Sequence, residues 1–186
     1  MALLVLGIVL WIVPHLFKRL APDARARLEA RLGAGPSRGL FAVVIGLGLL
    51  LMIMGFRSAP YVAVYTPPAW TVHLNNLMML IAVFLLGAAN APSRVKLYLR
   101  NPMLTGVLVW AVAHILVNGD LAGLVLFGSM GAWAIVSMVA IDTSAPKAPV
   151  APVSAMADIR LALISIVVFA VIAGVHAWLG RWPFPG

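Results

Sequence analysis

The feature that most constrains this chain is a recurrence of apolar runs long enough to cross a bilayer. Hydropathy and helix breakers mark six of them, at roughly 2–17, 40–56, 71–91, 102–118, 121–141 and 159–179. Crossing the hydrocarbon takes ~20 residues at 1.5 Å per residue, and each run is near that length. Inside lipid every backbone N–H and C=O must find its partner within the protein, so such runs fold as helices. The expected fold class is all-α, an integral membrane bundle of about six transmembrane helices with a short cytoplasmic interfacial helix, in a single transmembrane domain over residues 1–186.

Composition agrees, with 63% hydrophobic and 10% charged residues, outside the range of soluble domains. Thirteen Lys and Arg outnumber five Asp and Glu. Nucleic acid is nonetheless not the expected partner, because the bases sit between apolar runs, where they face lipid headgroups. The lipid bilayer and partner membrane proteins are the expected surroundings. With no cysteine, the chain has no disulfide, thiolate metal ligand, cysteine nucleophile or covalent c-type haem attachment. No serine stands beside a histidine and an acid at readable spacing, and no Gly-rich phosphate loop occurs.

Lys18, Arg19, Arg25, Arg27, Arg31 and Arg38 follow the first run, Arg94, Lys96 and Arg100 the third, and Lys147 and Arg160 the fifth. Only Arg57 and Arg181 lie on the other side. The positive-inside rule then puts the three basic connections in the cytoplasm and both termini outside. The first run lacks a basic stretch before it and reads as a retained anchor rather than a cleaved signal. Between the first two runs, Leu20, Ala24, Leu28 and Leu32 recur every four residues, and Gly33 is placed to end a helix. This segment is the expected interfacial helix. The Pro- and Ala-rich stretch 142–158 reads as a tether. The pairs Gly128 with Ala132 and Ala170 with Gly174 have the spacing that lets helices pack closely.

The run RNPMLTGVLVWAVAHILVNGD, residues 100–120, carries a histidine that helix making does not explain. Pro102 suits the first turn and Asn101 can cap it. Asn118-Gly119-Asp120 reads as a tight turn using left-handed backbone, with Asp120 capping the next helix. His114 lies about 18 Å along its helix, and an imidazole there should face protein rather than lipid. His73, near the start of the third run, and His176, near the end of the sixth, fall at a similar depth. His15 lies near the cytoplasmic end of the first run, more than ~10 Å from the level of His114.

A shared depth is a precondition for a shared metal or haem. Neutral imidazole is a common protein ligand of haem iron. Trp110 is one turn before His114, Trp70, Trp178, Met78 and Met79 lie near its level, and Arg57, Arg181 and Asn118 could receive propionates. The bland reading makes each histidine a hydrogen-bonding residue that satisfies a neighbouring carbonyl. Residue types alone leave both readings open.

The block 100–136, with PHLFKRLAP near the N-terminus, TPPAW followed by His73, and HAWLG near the C-terminus, resembles the NnrU family of bacterial membrane proteins. The resemblance implies a multi-pass protein of the bacterial inner membrane with a role tied to nitrite or nitric oxide metabolism and denitrification. The family is also similar to the plastid zeta-carotene isomerase, a membrane haem b enzyme acting on a polyene. That similarity implies haem b as cofactor and His114 as an iron ligand, by its spacing from the Arg-x-Pro motif. Asn101 stands where the family usually has histidine, and Ala111 where the isomerase has a cysteine ligand. Exchange of a sulfur ligand on iron is therefore unavailable here. Chain order in the isomerase points to His15 as second ligand, whereas depth points to His73 or His176. A haem-free accessory or assembly protein, and an isomerase or redox enzyme acting on a lipid-soluble polyene or quinone, are the other classes these residues admit.

Overall fold

A computed structural model describes residues 1–144, 147 and 152–185. The described secondary structure is helical: α1 (Ala2–Leu20), α2 (Pro22–Leu32), α3 (Ala34–Ser58), α4 (Thr71–Asn90), α5 (Val95–Tyr98), α6 (Pro102–Val117), α7 (Leu121–Ser144) and α8 (Ala155–Trp178). Five of these, α1, α3, α4, α7 and α8, are long and apolar enough to cross a membrane, which makes this a multi-pass membrane protein. The sixth expected span is shorter. Pro102 starts α6 and Asn118 ends it after 16 residues, or about 24 Å of helix, less than the ~30 Å hydrocarbon core. Much of the expected tether at 142–158 lies outside the described residues.

The chain divides into two compact units. The first comprises Met1–Val64 and Asp120–Ser144, and so holds α1, α2, α3 and α7. Its core is Leu4, Ile8, Met52 and Ala122, flanked by Trp11, Phe56 and Val125. Lipid removes most of the hydrophobic drive for helix association, so close packing must supply it. Glycine provides the closeness: a Cβ at Gly7 would meet Met52 N at 2.5 Å, one at Gly48 Trp11 N at 2.8 Å, and one at Gly55 Leu4 N at 2.2 Å. The expected pairs do not act in this way, since added Cβ atoms at Gly128 and Gly174 meet nothing within 4 Å among the described residues. On the opposite side of α3, Leu40, Val43, Leu47 and Leu50 remain exposed as a lipid-facing stripe.

A helix forms where the interfacial one was expected. Pro22 occupies its first turn and Gly33, at φ 85°, ends it. Gly33 also opens α3, which begins six residues before the apolar run at Leu40. Pro36 fits within that first turn, where its missing N–H would have no intrahelical partner. Arg25 fastens α2 to α3 by donating to Ser37 Oγ and by lying over the Phe41 ring, 4.3 Å from its centroid. Asp120 caps α7 as expected, with its carboxylate accepting from the N–H of Gly123 at 2.9 Å. At the start of α7, Leu121 N–H donates to Val62 C=O in the connection that follows α3, at 2.9 Å.

The second unit, Tyr65–Gly119 and Ala145–Gly186, holds α4, α5, α6 and α8. Helices α6 and α8 both pack on α4. At Gly106 the backbone of α6 approaches Ala82 O, with an added Cβ only 3.1 Å away. At one end of α4, Ser93 Oγ and Arg94 N–H both donate to Asp158 in the first turn of α8. At its other end, Asn76 donates to the Pro183 carbonyl beyond α8, and Tyr65 N–H to Gly119 C=O beyond α6. These ties make α6 and α8 antiparallel to α4.

The two ends of α6 differ from the reading of their sequence. The side chain of Asn101 does not cap the helix; its carbonyl instead accepts from both N–H and Oγ1 of Thr105. Asn118 has φ −112° and Gly119 is not among the positive-φ glycines, so the turn uses no left-handed residue. Glycine is required at 119 for space: an added Cβ would lie 1.9 Å from the Tyr65 carbonyl oxygen.

Candidate functional site

The four histidines sort between the units. His15 belongs to the first and His73, His114 and His176 to the second. Within the second unit their levels follow from the antiparallel packing. Gly87 of α4 meets Leu161 of α8. From that crossing, His73 lies about 21 Å back along α4 and His176 about 22 Å forward along α8. From the crossing of Gly106 with Leu85, His114 lies about 12 Å along α6 and His73 about 18 Å along α4. His73 and His176 thus share a level near the helix ends, and His114 sits roughly one turn deeper.

Burial separates them further. His114 is partly buried, while His73 and His176 are exposed. Among the described residues no group of three His, Asp or Glu side chains converges as a metal cluster. The trio read from depth therefore does not close into one three-ligand centre among those residues.

Three histidines share one local device. Nδ1 lies 2.9 Å from the Trp110 carbonyl in His114, 2.8 Å from the Ile172 carbonyl in His176 and 2.6 Å from the Trp11 carbonyl in His15. A carbonyl oxygen only accepts, so Nδ1 carries the hydrogen in each case, and in the neutral ring Nε2 then carries the lone pair. Orienting one imidazole nitrogen by a backbone carbonyl is also how metal-binding histidines are fixed. The residue supplying that carbonyl is always four positions earlier, a spacing dictated by the helix itself.

Two of these rings, those of His114 and His15, pack against tryptophan. Trp110 lies tilted against His114 with centroids 5.1 Å apart. In the first unit His15 stacks on Trp11 at 4.0 Å, and Trp133 meets both rings edge-on, at 5.5 and 4.6 Å. The Trp133 Nε1–H is buried with no acceptor among the described residues. The sequence reading missed this Trp11–His15–Trp133 cluster. Trp11 and His15 stand at the readable i,i+4 spacing, but Trp133 is more than a hundred residues away.

His114 on α6 and His176 on α8 each offer an imidazole oriented by its own helix, the donor type that a haem iron takes. Asn75 on α4, whose Oδ1 is buried without a donor among the described residues, adds a polar group to this unit.

No curated protein and no solved structure matches the chain. The NnrU protein family matches residues 3–183, nearly the whole length and both units. This long apolar chain of helices, with its histidine-bearing RNPMLTGVLVWAVAHILVNGD block, belongs to the NnrU family.

Proposed function

We propose that this NnrU-family protein serves nitrite and nitric oxide metabolism in the bacterial inner membrane, and that it holds haem b through His114. The observation that carries this reading is the Nδ1 contact of His114 with the Trp110 carbonyl. It assigns the hydrogen to Nδ1 and the lone pair to Nε2 on a partly buried ring inside an apolar helix. His176 is the preferred second ligand, being in the same unit as His114 and carrying the same Nδ1 arrangement. His73 and His15 are the alternatives. A bound haem b would supply one-electron iron chemistry. The protein's part is to orient imidazole and exclude water.

Expression with ample haem, purification in mild detergent and an absorbance spectrum test this. A Soret band is expected, abolished or shifted in His114→Ala and shifted in His176→Ala. An unchanged spectrum in His114→Ala would show that another residue binds iron. Absence of the band in the parent protein would favour a haem-free accessory protein. In that reading, the carbonyl contacts of His15, His114 and His176 satisfy each ring within its own helix.

A further inference from the structure

Where α1 gives way to α2, Phe17, Ala24, Leu28, Arg27 and Arg31 line a half-open cavity of about 250 Å³. Its lining combines three apolar side chains with two arginines four residues apart on α2. Of the acids on α2, Glu29 pairs with Arg25 at 3.7 Å, and Arg25 is otherwise occupied by Ser37 and Phe41. Arg27 and Arg31 are exposed and have no acidic partner among the described residues. Two cations at i,i+4 repel each other, and α2 keeps them on the groove side with Ala24 and Leu28.

We propose that this groove is a binding site for one anionic phospholipid of the leaflet at which α1 ends. Its phosphate is held between Arg27 and Arg31, and its first chain carbons lie on Phe17, Ala24 and Leu28. Four observations select that occupant. The guanidinium pair demands an anion and favours phosphate, whose oxygens match the planar fork of donors. The apolar side chains demand hydrocarbon beside that anion. The volume is below the ~300–1,000 Å³ of a typical metabolite pocket, yet suffices for a headgroup phosphate with its nearest carbons. The position, at the end of a helix long enough to span the bilayer, puts the groove at headgroup depth. The site is independent of the haem reading, since none of its residues is a histidine.

The test is native mass spectrometry of the full chain in mild detergent, titrated with phosphatidylglycerol or with phosphatidylcholine of the same chains. Phosphatidylglycerol should be retained preferentially. R27Q/R31Q should weaken its retention about thirtyfold, the expectation for two arginines at a membrane surface. R38Q/R160Q, removing the same charge elsewhere, should leave it unchanged. Inorganic phosphate at equal concentration should not displace the lipid. Equal retention of the two lipids by the parent protein, an equal loss in R38Q/R160Q, or displacement by phosphate alone would each overturn the proposal. The lipid comparison and the phosphate competition use the parent protein and stand even if R27Q/R31Q fails to fold.

Discussion

Replacing Gly55 with alanine measures how closely α1 and α3 are held. The new Cβ would lie 2.2 Å from Leu4 N and 2.6 Å from Leu4 Cα, both backbone atoms that cannot rotate away. Ordinary contact begins at 3.4 Å, so the helices must part by about 1.2 Å at this crossing. Overpacking of this kind costs ~1–3 kcal/mol, and rigid backbone opposite the clash argues for the upper end. Alanine's better helix propensity returns ~1 kcal/mol, leaving a net loss of about 2 kcal/mol. Gly46, on the same helix, is the control. An added Cβ there meets nothing within 4 Å among the described residues, so Gly46→Ala should stabilise by up to ~1 kcal/mol. Unfolding by sodium dodecyl sulfate from mild detergent, followed by tryptophan fluorescence, should show the midpoint fall for Gly55→Ala and rise slightly for Gly46→Ala. A Gly55→Ala midpoint at or above that of the parent protein would refute the backbone-to-backbone account of this interface.

Three further outcomes follow from named contacts. Asp158→Ala leaves the Ser93 hydroxyl, 0% exposed, without its acceptor. It should cost ~1–3 kcal/mol and raise protease cleavage around residues 91–94, read by gel after limited digestion. Gly119→Ala places a Cβ against the Tyr65 carbonyl and should break the 3.1 Å bond from Tyr65 N–H to Gly119 C=O. Faster amide exchange at Tyr65 is the readout, and unchanged exchange would count against the crowding argument. Asp120→Ala removes the cap on Gly123 N–H and should lower the unfolding midpoint by an amount equivalent to ~1 kcal/mol, whereas Asp120→Asn should retain most of it.

What could be read from the chain follows from how local each cause is. The spans were legible because lipid imposes length and apolarity on every residue of a run. The ends of α4 and α6 fell within a residue of the breakers that mark them. The start of α3 was read too late because hydropathy sees only Leu40 onward, while Pro36, Ser37 and Arg38 form a polar first turn that belongs to the same helix. The caps divide similarly. Asp120 acts through its own side chain on Gly123, three residues on, whereas Asn101 acts through its backbone carbonyl, a role any residue could fill. Among the histidines, similar depth was legible from counting residues at 1.5 Å each. The Nδ1 contacts also obey helix spacing, since each joins a ring to the carbonyl four residues earlier.

Sequence by itself determined the solvent this protein folds in, the helical form of its spans and the helix ending at Gly33. All of these arise from interactions within about one helical turn or from the bilayer's uniform demand on backbone polar groups. Tertiary structure decided which small residues are contact points: Gly7, Gly48 and Gly55, not Gly128 and Gly174. It also decided that Gly119 is needed for room rather than for its backbone angle, that Trp133 joins Trp11 and His15, and that Arg25 is engaged by α3 while Arg27 and Arg31 line the groove. Each depends on which helix face meets which neighbour. In a chain that is apolar all round its helices, the hydrophobic pattern carries little of that information, because lipid and protein neighbours are nearly alike in polarity and differ mainly in shape.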